Sequence, residues 1–306
     1  MSPKTGRAPR FPTWRYGQRL VWRGRDDWGV VEVVKNKLGY SLHFGSAALQ
    51  GRIHHTYPWL PVAEYVHSMA AAAAFPAPQQ REKSPKDLFP IPTVPQVCLL
   101  GMGTGSLAWT YQHLLPHAKL TAIELRPAVI ELATQLLSLS DLKQLTILQG
   151  DALLKLQELP DHSQTLVAVD LFMADGMAKC LLQQEFWEQV KRVLHPIGVV
   201  CVNSWSSKVE LFKTIIHFLE QLYPQNPLMS VDHITFGNVI LFATPRSVDR
   251  IGLLKRAQLI DEKLSLSRLD SKKAKRLWTK EAPELGLTGE SVYERLSRAQ
   301  EPVTYE

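Results

Sequence analysis

The chain has 306 residues, of which 45% are hydrophobic and 21% charged, and its formal net charge is +6. These proportions are ordinary for a globular protein, and the sequence holds no run of 18 apolar residues that would predict a transmembrane helix. The basic N-terminus lacks the apolar segment of a secretory signal, and the three cysteines form no C-x-x-C pair. We therefore expect a cytoplasmic protein without a disulfide framework, a metal site or a membrane contact.

The positive charge is concentrated at the N-terminus. Residues 1–60 hold ten Lys and Arg against three Asp and Glu, whereas residues 61–245 hold twelve against sixteen. A basic region is one mark of a nucleic-acid-binding protein, but solvated surfaces and subunit contacts are commoner explanations of such an excess. Nucleic acid is therefore not the partner that we expect.

The first quarter of the chain predicts a tail, a small β-domain and a helix. Residues 1–14 hold three prolines among basic residues and predict a disordered tail. Residues 15–60 contain β-rich pieces at 19–22, 28–34 and 40–44, which predict a small antiparallel domain. So few strands bury little surface alone, so this domain should pack on the rest of the chain or form a homodimer. Residues 61–75 predict a helix, and the six prolines of residues 76–96 predict a loop.

Residues 97–124, VCLLGMGTGSLAWTYQHLLPHAKLTAIE, carry the strongest pattern. A short apolar strand is followed by Gly101, Gly103 and Gly105, a helix-competent segment, a second strand and the acid Glu124. Glycines allow a tight turn and close approach of a ligand, a helix N-terminus offers free N–H groups, and an acid at the next strand end accepts ribose hydroxyls. The pattern predicts a nucleoside-binding βαβ unit, with a ligand-free tight turn as the alternative.

Strands and helices continue to alternate up to residue 245. The remaining strands are predicted at 145–148, 166–169 and 199–202, the helices at 128–137, 152–159, 182–194 and 209–222, and a closing hairpin at 228–235 and 238–243. Residues 61–245 should therefore form an α/β domain with a mostly parallel sheet, closed by an antiparallel hairpin. Residues 246–306 predict a charged helical tail, with helices at 253–264, 272–278 and 291–299.

Polar residues follow four of the predicted strands. In open α/β sheets, ligands bind at the carboxyl ends of the strands. Those ends carry the glycine loop, Glu124, Asp151, Asp170 and Asn203. Glu124 suits ribose hydroxyls and Asp151 suits the amine of an adenine, so one adenosine-binding site is expected.

The motifs G-M-G-T-G, A-I-E, Q-G-D-A and V-A-V-D-L-F resemble those of a known family. Together with Tyr65, Met69 and the N-terminal β-region, they are similar to the spermidine synthase-like (polyamine aminopropyltransferase) branch of the S-adenosylmethionine-dependent transferase superfamily. The resemblance covers residues 15–243. It implies a class I methyltransferase-like Rossmann sheet, with the N-terminal β-domain and a C-terminal tail that has no counterpart in the family.

The resemblance also implies roles for individual residues. The cofactor, S-adenosylmethionine or its decarboxylated form, would be held by Gly101, Gly103, Thr104, Gly105, Glu124, Asp151 and Ala152. The substrate, a small-molecule amine or another nucleophile, would contact Tyr65, Asp170, Leu171 and Met173. Asp170 takes the position of the catalytic acid, which receives or orients the amine proton. No metal is implied.

Two departures from the family leave the transferred group open. Thr104 stands where the family has an acid in the glycine loop, and Met173 stands where it has a second acid after the catalytic one. The first would suit an intact cofactor, which keeps its own carboxylate, and the second removes a partner for a polyamine. Three functions remain: aminopropyl transfer to a diamine in polyamine biosynthesis, methyl transfer to an unknown acceptor, and a non-catalytic binding module.

Overall fold

Two main sheets, one antiparallel and one mostly parallel, organise the protein. The computed structural model describes residues 4–8, 13–37, 39–75, 94–226, 228–232, 237–245, 248–264 and 291–299. Most of the predicted proline loop and the predicted helix at 272–278 lie outside these residues. In the described residues, no helix is long and apolar enough to cross a membrane.

The N-terminal sheet is antiparallel and has six strands in the described residues, in the order β1-β3-β4-β5-β6, with β2 also pairing with β3. The strands are β1 (Lys4–Arg7), β2 (Thr13–Arg15), β3 (Gln18–Asp26), β4 (Gly29–Lys35), β5 (Gly39–His43) and β6 (Leu49–His54). Alternating apolar residues of β3–β6 bury one face, which joins the hydrophobic core of the main domain. The small β-domain expected from the sequence therefore packs on its own chain.

The predicted disorder of residues 1–14 is wrong for the part that the structure describes, because β1 pairs with β3. The Gly6 N–H donates to both carboxylate oxygens of Glu131, at 3.0 and 3.1 Å. A side chain at Gly6 would collide with the indole of Trp22, so the glycine lets the strand pass over that ring. These partners lie far along the chain, and local composition does not show them.

The main sheet has seven strands in the described residues, in the order β14-β15-β13-β10-β7-β8-β9. They are β7 (Gln96–Leu100), β8 (Lys119–Glu124), β9 (Leu145–Gln149), β10 (Gln164–Val169), β13 (Leu194–Trp205), β14 (Met229–Asp232) and β15 (Asn238–Ala243). The first five are parallel, whereas β15 runs antiparallel to β13 and β14 antiparallel to β15. The expected parallel sheet closed by a hairpin is thus confirmed. A two-stranded hairpin, β11 (Phe172–Met173) with β12 (Gly176–Met177), follows β10 and was not predicted.

Helices cover both faces of this sheet, as the two core clusters on its sides show. They are α1 (Glu64–Ala70), α2 (Ser106–Leu114), α3 (Pro127–Gln135), α4 (Ala152–Gln157), α5 (Gln184–Val193), α6 (Val209–Leu222), α7 (Arg250–Leu264) and α8 (Val292–Ser297). The predicted helix at 61–75 is shorter and continues as a 3-10 turn, Ala71–Ala74. In the C-terminal region, Asp261 of α7 accepts the N–H groups of Val292 and Tyr293 and so fixes the start of α8.

Candidate cofactor and active site

A cleft lies at the carboxyl ends of the parallel strands. The space between its walls, counted together with the open solvent at its mouth, is about 710 Å3. It is lined by the turns after β7, β8, β9 and β10, and the N-terminal sheet contributes one wall through Leu42, Phe44 and Gln50. The strand ends that the sequence singled out therefore meet around one space, with the exception of Asn203, which lies behind Asp170.

The glycine loop after β7 takes backbone conformations that favour glycine. Gly101, Gly103 and Gly105 have φ angles of +88°, +52° and +77°. A side chain at Gly101 would collide with the carbonyl of Asp170, and one at Gly105 with Leu139. At Gly103 an added Cβ would meet only the Gln50 carbonyl, at 4.0 Å, so the loop is open to the cleft there.

Glu124, the last residue of β8, is held by backbone donors. Its Oε2 accepts the N–H of Met102 at 3.0 Å and of Gly103 at 3.4 Å, and its Oε1 accepts the N–H of Arg126 at 2.9 Å. Glu124 as a whole residue is 7% exposed, and burial raises the pKa of its carboxyl against the effect of these bonds. It lines the cleft as a hydrogen-bond acceptor whose position is fixed by the glycine loop.

Arg126 connects this strand end to the N-terminal sheet. Its guanidinium forms two bonds to Asp26, at the end of β3, and a third to the carbonyl of Gly29. The guanidinium also lies 4.2 Å from the centre of the Phe44 ring. Sequence reasoning missed this pair, because its two residues are 100 positions apart.

Asp151 and Ala152 lie just after β9, the next strand of the sheet, and form the start of α4. Asp151 caps the helix, since its Oδ1 accepts the N–H of Leu153 at 2.9 Å and of Leu154 at 3.3 Å. Asp151 is exposed, whereas Ala152 is buried, and both line the cleft. Cys180, which the sequence did not single out, lines the cleft as well, and burial raises the pKa of its thiol to about 11.

Asp170, directly after β10, is the centre of a polar chain. Its Oδ1 accepts from Asn203 Nδ2 at 2.8 Å, and Asn203 Oδ1 in turn accepts from Asn238 Nδ2 at 2.8 Å. The Tyr65 hydroxyl of α1 also hydrogen-bonds Asp170. Burial raises the pKa of Asp170 to about 6 despite these bonds, and the negative charge of Glu124 adds to the increase. A carboxyl that ionises near neutral pH is suited to proton transfer.

The residues after Asp170 give the cleft an apolar wall. Leu171, Phe172 and Met173 line it, and the Phe172 ring packs on Trp205 with 5.0 Å between ring centres. Asp175, in the turn between β11 and β12, is exposed and is not among the lining residues. Met173 has no charge and Asp175 lies outside the lining, so neither residue adds a charge to this wall of the cleft.

Thr104 is in the glycine loop, but its side chain lies away from the cleft. It is 3% exposed, and its hydroxyl donates to the carbonyl of Arg52 in β6 at 3.3 Å. The hydroxyl therefore contacts the N-terminal sheet.

The described residues hold no group of three or more His, Cys, Asp or Glu side chains placed to bind a metal ion. His54, the last residue of β6, uses its Nδ1 to accept the N–H groups of Thr56 and Tyr57. Burial lowers its pKa to about 4, so this ring is neutral at physiological pH.

Residues 95–273 match the family model described as a methyltransferase domain. The chain belongs to this methyltransferase-domain family. It is therefore a transferase, and the expected resemblance to the spermidine synthase-like branch is confirmed.

Individual relatives of this methyltransferase-domain protein match most of its length. It is 24% identical to the polyamine aminopropyltransferase of Neisseria meningitidis serogroup A over 232 residues, which are 74% of this chain and 81% of that one. Its fold is similar to that of a probable spermidine synthase from Corynebacterium glutamicum, with a TM-score of 0.64, 16% identity, and 84% and 93% of the two chains covered.

The fold is also similar to that of human methyltransferase-like protein 13 in complex with SAH. The TM-score is 0.54 with 21% identity, and 66% of this chain and 91% of the other are covered. At such identities the structural likeness shows the fold alone. Fold neighbours thus include a protein named as a probable spermidine synthase and one named as methyltransferase-like.

Proposed function

We propose that this protein transfers an alkyl group from a sulfonium adenosyl cofactor to an amine, with Asp170 as the base. The observation that carries the proposal is the position of Asp170. A carboxyl with a pKa of about 6 lines the same cleft as the glycine loop, Glu124 and Asp151. Aminopropyl transfer from decarboxylated S-adenosylmethionine is the first candidate, because a polyamine aminopropyltransferase matches 74% of this chain.

The residues of the cleft fit an adenosyl cofactor. Glu124 accepts three N–H bonds, and since a carboxylate offers about four acceptor sites, one remains for a ribose hydroxyl. Gly103 leaves room for the part of the cofactor that crosses the loop. Asp151 and Ala152 would hold the adenine edge, and Gly101 to Gly105 the sulfonium side chain. Thr104 would contribute through its backbone, since its hydroxyl is bound to Arg52.

The sulfonium group supplies an electrophilic carbon when the cofactor is bound. Tyr65 and Asn203 hold the Asp170 carboxylate by hydrogen bonds, and Asp170 orients the amine and receives its proton. The transfer would form a bond from the amine nitrogen to this carbon and break the carbon–sulfur bond, with the bonding pair left on sulfur. The amine proton would pass through Asp170 to solvent.

Product analysis with the two cofactor forms tests this proposal. The purified protein is incubated with a panel of amines and either intact or decarboxylated S-adenosylmethionine. Release of methylthioadenosine from the decarboxylated form, lost in Asp170→Asn, is the expected result. Absence of any nucleoside product with either form, across the panel, contradicts the proposal and favours the non-catalytic module.

Methyl transfer is the second candidate, and a specific observation favours it. The glycine loop carries no acid, and Thr104 is turned away from the cleft, so an ammonium there lacks a loop carboxylate. An intact cofactor carries its own carboxylate, so the absence of an acid in the glycine loop weakens its binding less. In this case intact S-adenosylmethionine binds more tightly than the decarboxylated form, and S-adenosylhomocysteine is the product.

Dimerisation through the N-terminal sheet stays a prediction, which analytical sedimentation of the purified protein tests.

A further inference from the structure

We propose that the acceptor is a primary amine with a single ammonium group and an apolar remainder, and not a diamine or polyamine. This inference rests on the proposed function, whose acceptor class it narrows. It starts from the charges in the cleft. Among the described residues that line it, three carry carboxylates: Glu124, Asp151 and Asp170.

Two of these carboxylates are committed to other bonds. Glu124 accepts three backbone N–H groups, and Asp151 caps α4. Both also lie away from Asp170 across the sheet. The strand order β10-β7-β8-β9 puts β8 two strands and β9 three strands from β10. At a strand spacing of about 4.8 Å, the ends of β8 and β9 are about 10 and 14 Å from the end of β10. With a hydrogen bond at each end, an extended four-carbon diamine spans about 12 Å, which is short of the end of β9. Glu124 is nearer, but it is buried and bound to three backbone N–H groups.

The surface next to Asp170 is apolar instead. Leu171, Phe172, Met173 and Ala178 line it, and the Phe172 ring is supported by Trp205. Asp175, the nearest acid along the chain, is an exposed residue outside the lining. A second ammonium beside this wall would lose its hydration without gaining a carboxylate, which is costly. An aryl or alkyl group would bury its apolar area there at no such cost.

The acceptor reacts by the alkyl transfer proposed for Asp170. The acceptor's single amine forms the new N–C bond, its proton leaves through Asp170, and the C–S bond of the cofactor breaks with the pair on sulfur. The apolar remainder of the acceptor takes no part in the chemistry. It fixes the amine at Asp170 by packing on Met173 and Phe172.

A comparison of amines with matched variants tests the inference. The full-length protein, with the cofactor form that gives product, is assayed with 2-phenylethylamine, hexylamine and 1,4-diaminobutane. We expect kcat/KM for the two monoamines to exceed that for the diamine at least tenfold. Met173→Asp adds a carboxylate beside the wall and should shift the ratio toward the diamine by tenfold or more. Met173→Asn has nearly the same side-chain shape as Met173→Asp but no charge, so it should keep the monoamine preference.

Equal or better use of 1,4-diaminobutane by the wild-type protein overturns the inference. An equal shift in Met173→Asp and Met173→Asn also overturns it, because charge would then not set the preference. Product from diamines alone is therefore a failure of this inference and a success of the proposed function. No product from any amine is a failure of the proposed function itself, and the inference fails with it.

Discussion

The guanidinium of Arg126 and the carboxylate of Asp26 form a two-point ion pair between the N-terminal sheet and the turn after β8. Arg126 Nη2 lies 2.7 Å from Asp26 Oδ1, and Nε lies 3.1 Å from Oδ2. The two side chains are 2% and 1% exposed. Because the backbone N–H of Arg126 donates to Glu124, the pair fixes the turn that aims the Glu124 carboxylate at the cleft.

Asp26→Ala should destabilise the protein and weaken cofactor binding together. It leaves a buried guanidinium without its partner, which typically costs about 3–5 kcal/mol. Urea unfolding measures the loss, and calorimetry should show a cofactor Kd at least fivefold weaker. Glu158→Ala, which breaks the ion pair of Lys155 on the surface of α4, should cost less than about 1 kcal/mol and leave the Kd unchanged.

The double variant Asp26→Leu/Arg126→Met separates the charge from the positioning role. Removing both members of a buried pair is often near neutral for stability. We expect recovery of most of the free energy of unfolding but not of the cofactor Kd. Recovery of both would mean that the pair only holds the fold together.

The transfer rate should depend on the ionisation of Asp170. Its pKa of about 6 predicts that kcat/KM falls tenfold per pH unit below pH 6, where the carboxyl is protonated and cannot accept the amine proton. Asp170→Asn should reduce the rate by at least 100-fold and change the cofactor Kd by less than threefold. Asp175→Asn, an exposed neighbour, serves as the control. A pH profile that is flat between 5 and 7 contradicts the assignment of Asp170 as the base.

Asp170→Asn should also make the protein more stable at high pH. The pKa of Asp170 is about 6 when folded and 3.8 in its ordinary state, so the folded form holds its proton more tightly. Ionisation above pH 6 therefore costs stability, by up to about 3 kcal/mol, and the cost disappears below pH 4. Thermal unfolding should place Asp170→Asn above the wild type at pH 8, with the gap closing toward pH 4. A constant gap would show that its cause is not this ionisation.

Thr104→Val tests where the loop hydroxyl acts. It removes the bond to the Arg52 carbonyl, so we expect a loss of about 1 kcal/mol in the free energy of unfolding. The cofactor Kd should stay within twofold of the wild type, because the side chain lies outside the cleft. A tenfold weaker Kd with unchanged stability would assign the hydroxyl to the cofactor instead.

Sequence patterns predicted the main sheet well, because most of its strands contain buried apolar runs and two of the helices beside it begin at local signals. Pro127 starts α3 and Asp151 caps α4, and both signals are readable within a few residues. The polar residues at the strand ends were found because the strand order brings them to one edge. Strand β1, by contrast, depends on Trp22 and Glu131, which are distant in sequence.

The apolar wall of the candidate site was also only partly predictable from local sequence. Met173 was identified through a family resemblance, but the β11–β12 hairpin that carries it is too short to give a periodic pattern. The Arg126–Asp26 pair and the turned-away Thr104 depend on the docking of the N-terminal sheet. No local pattern encodes that docking, so these contacts needed the structure.

Calorimetric titration of S-adenosylmethionine, intact and decarboxylated, into the wild-type protein and Glu124→Ala tests the cofactor site most directly. We predict that at least one form binds the wild type with one site per chain. Glu124→Ala should weaken that binding tenfold or more, while Glu158→Ala leaves it unchanged. Equal affinity in Glu124→Ala, or no binding of either form to the wild type, would contradict a sulfonium cofactor in this cleft.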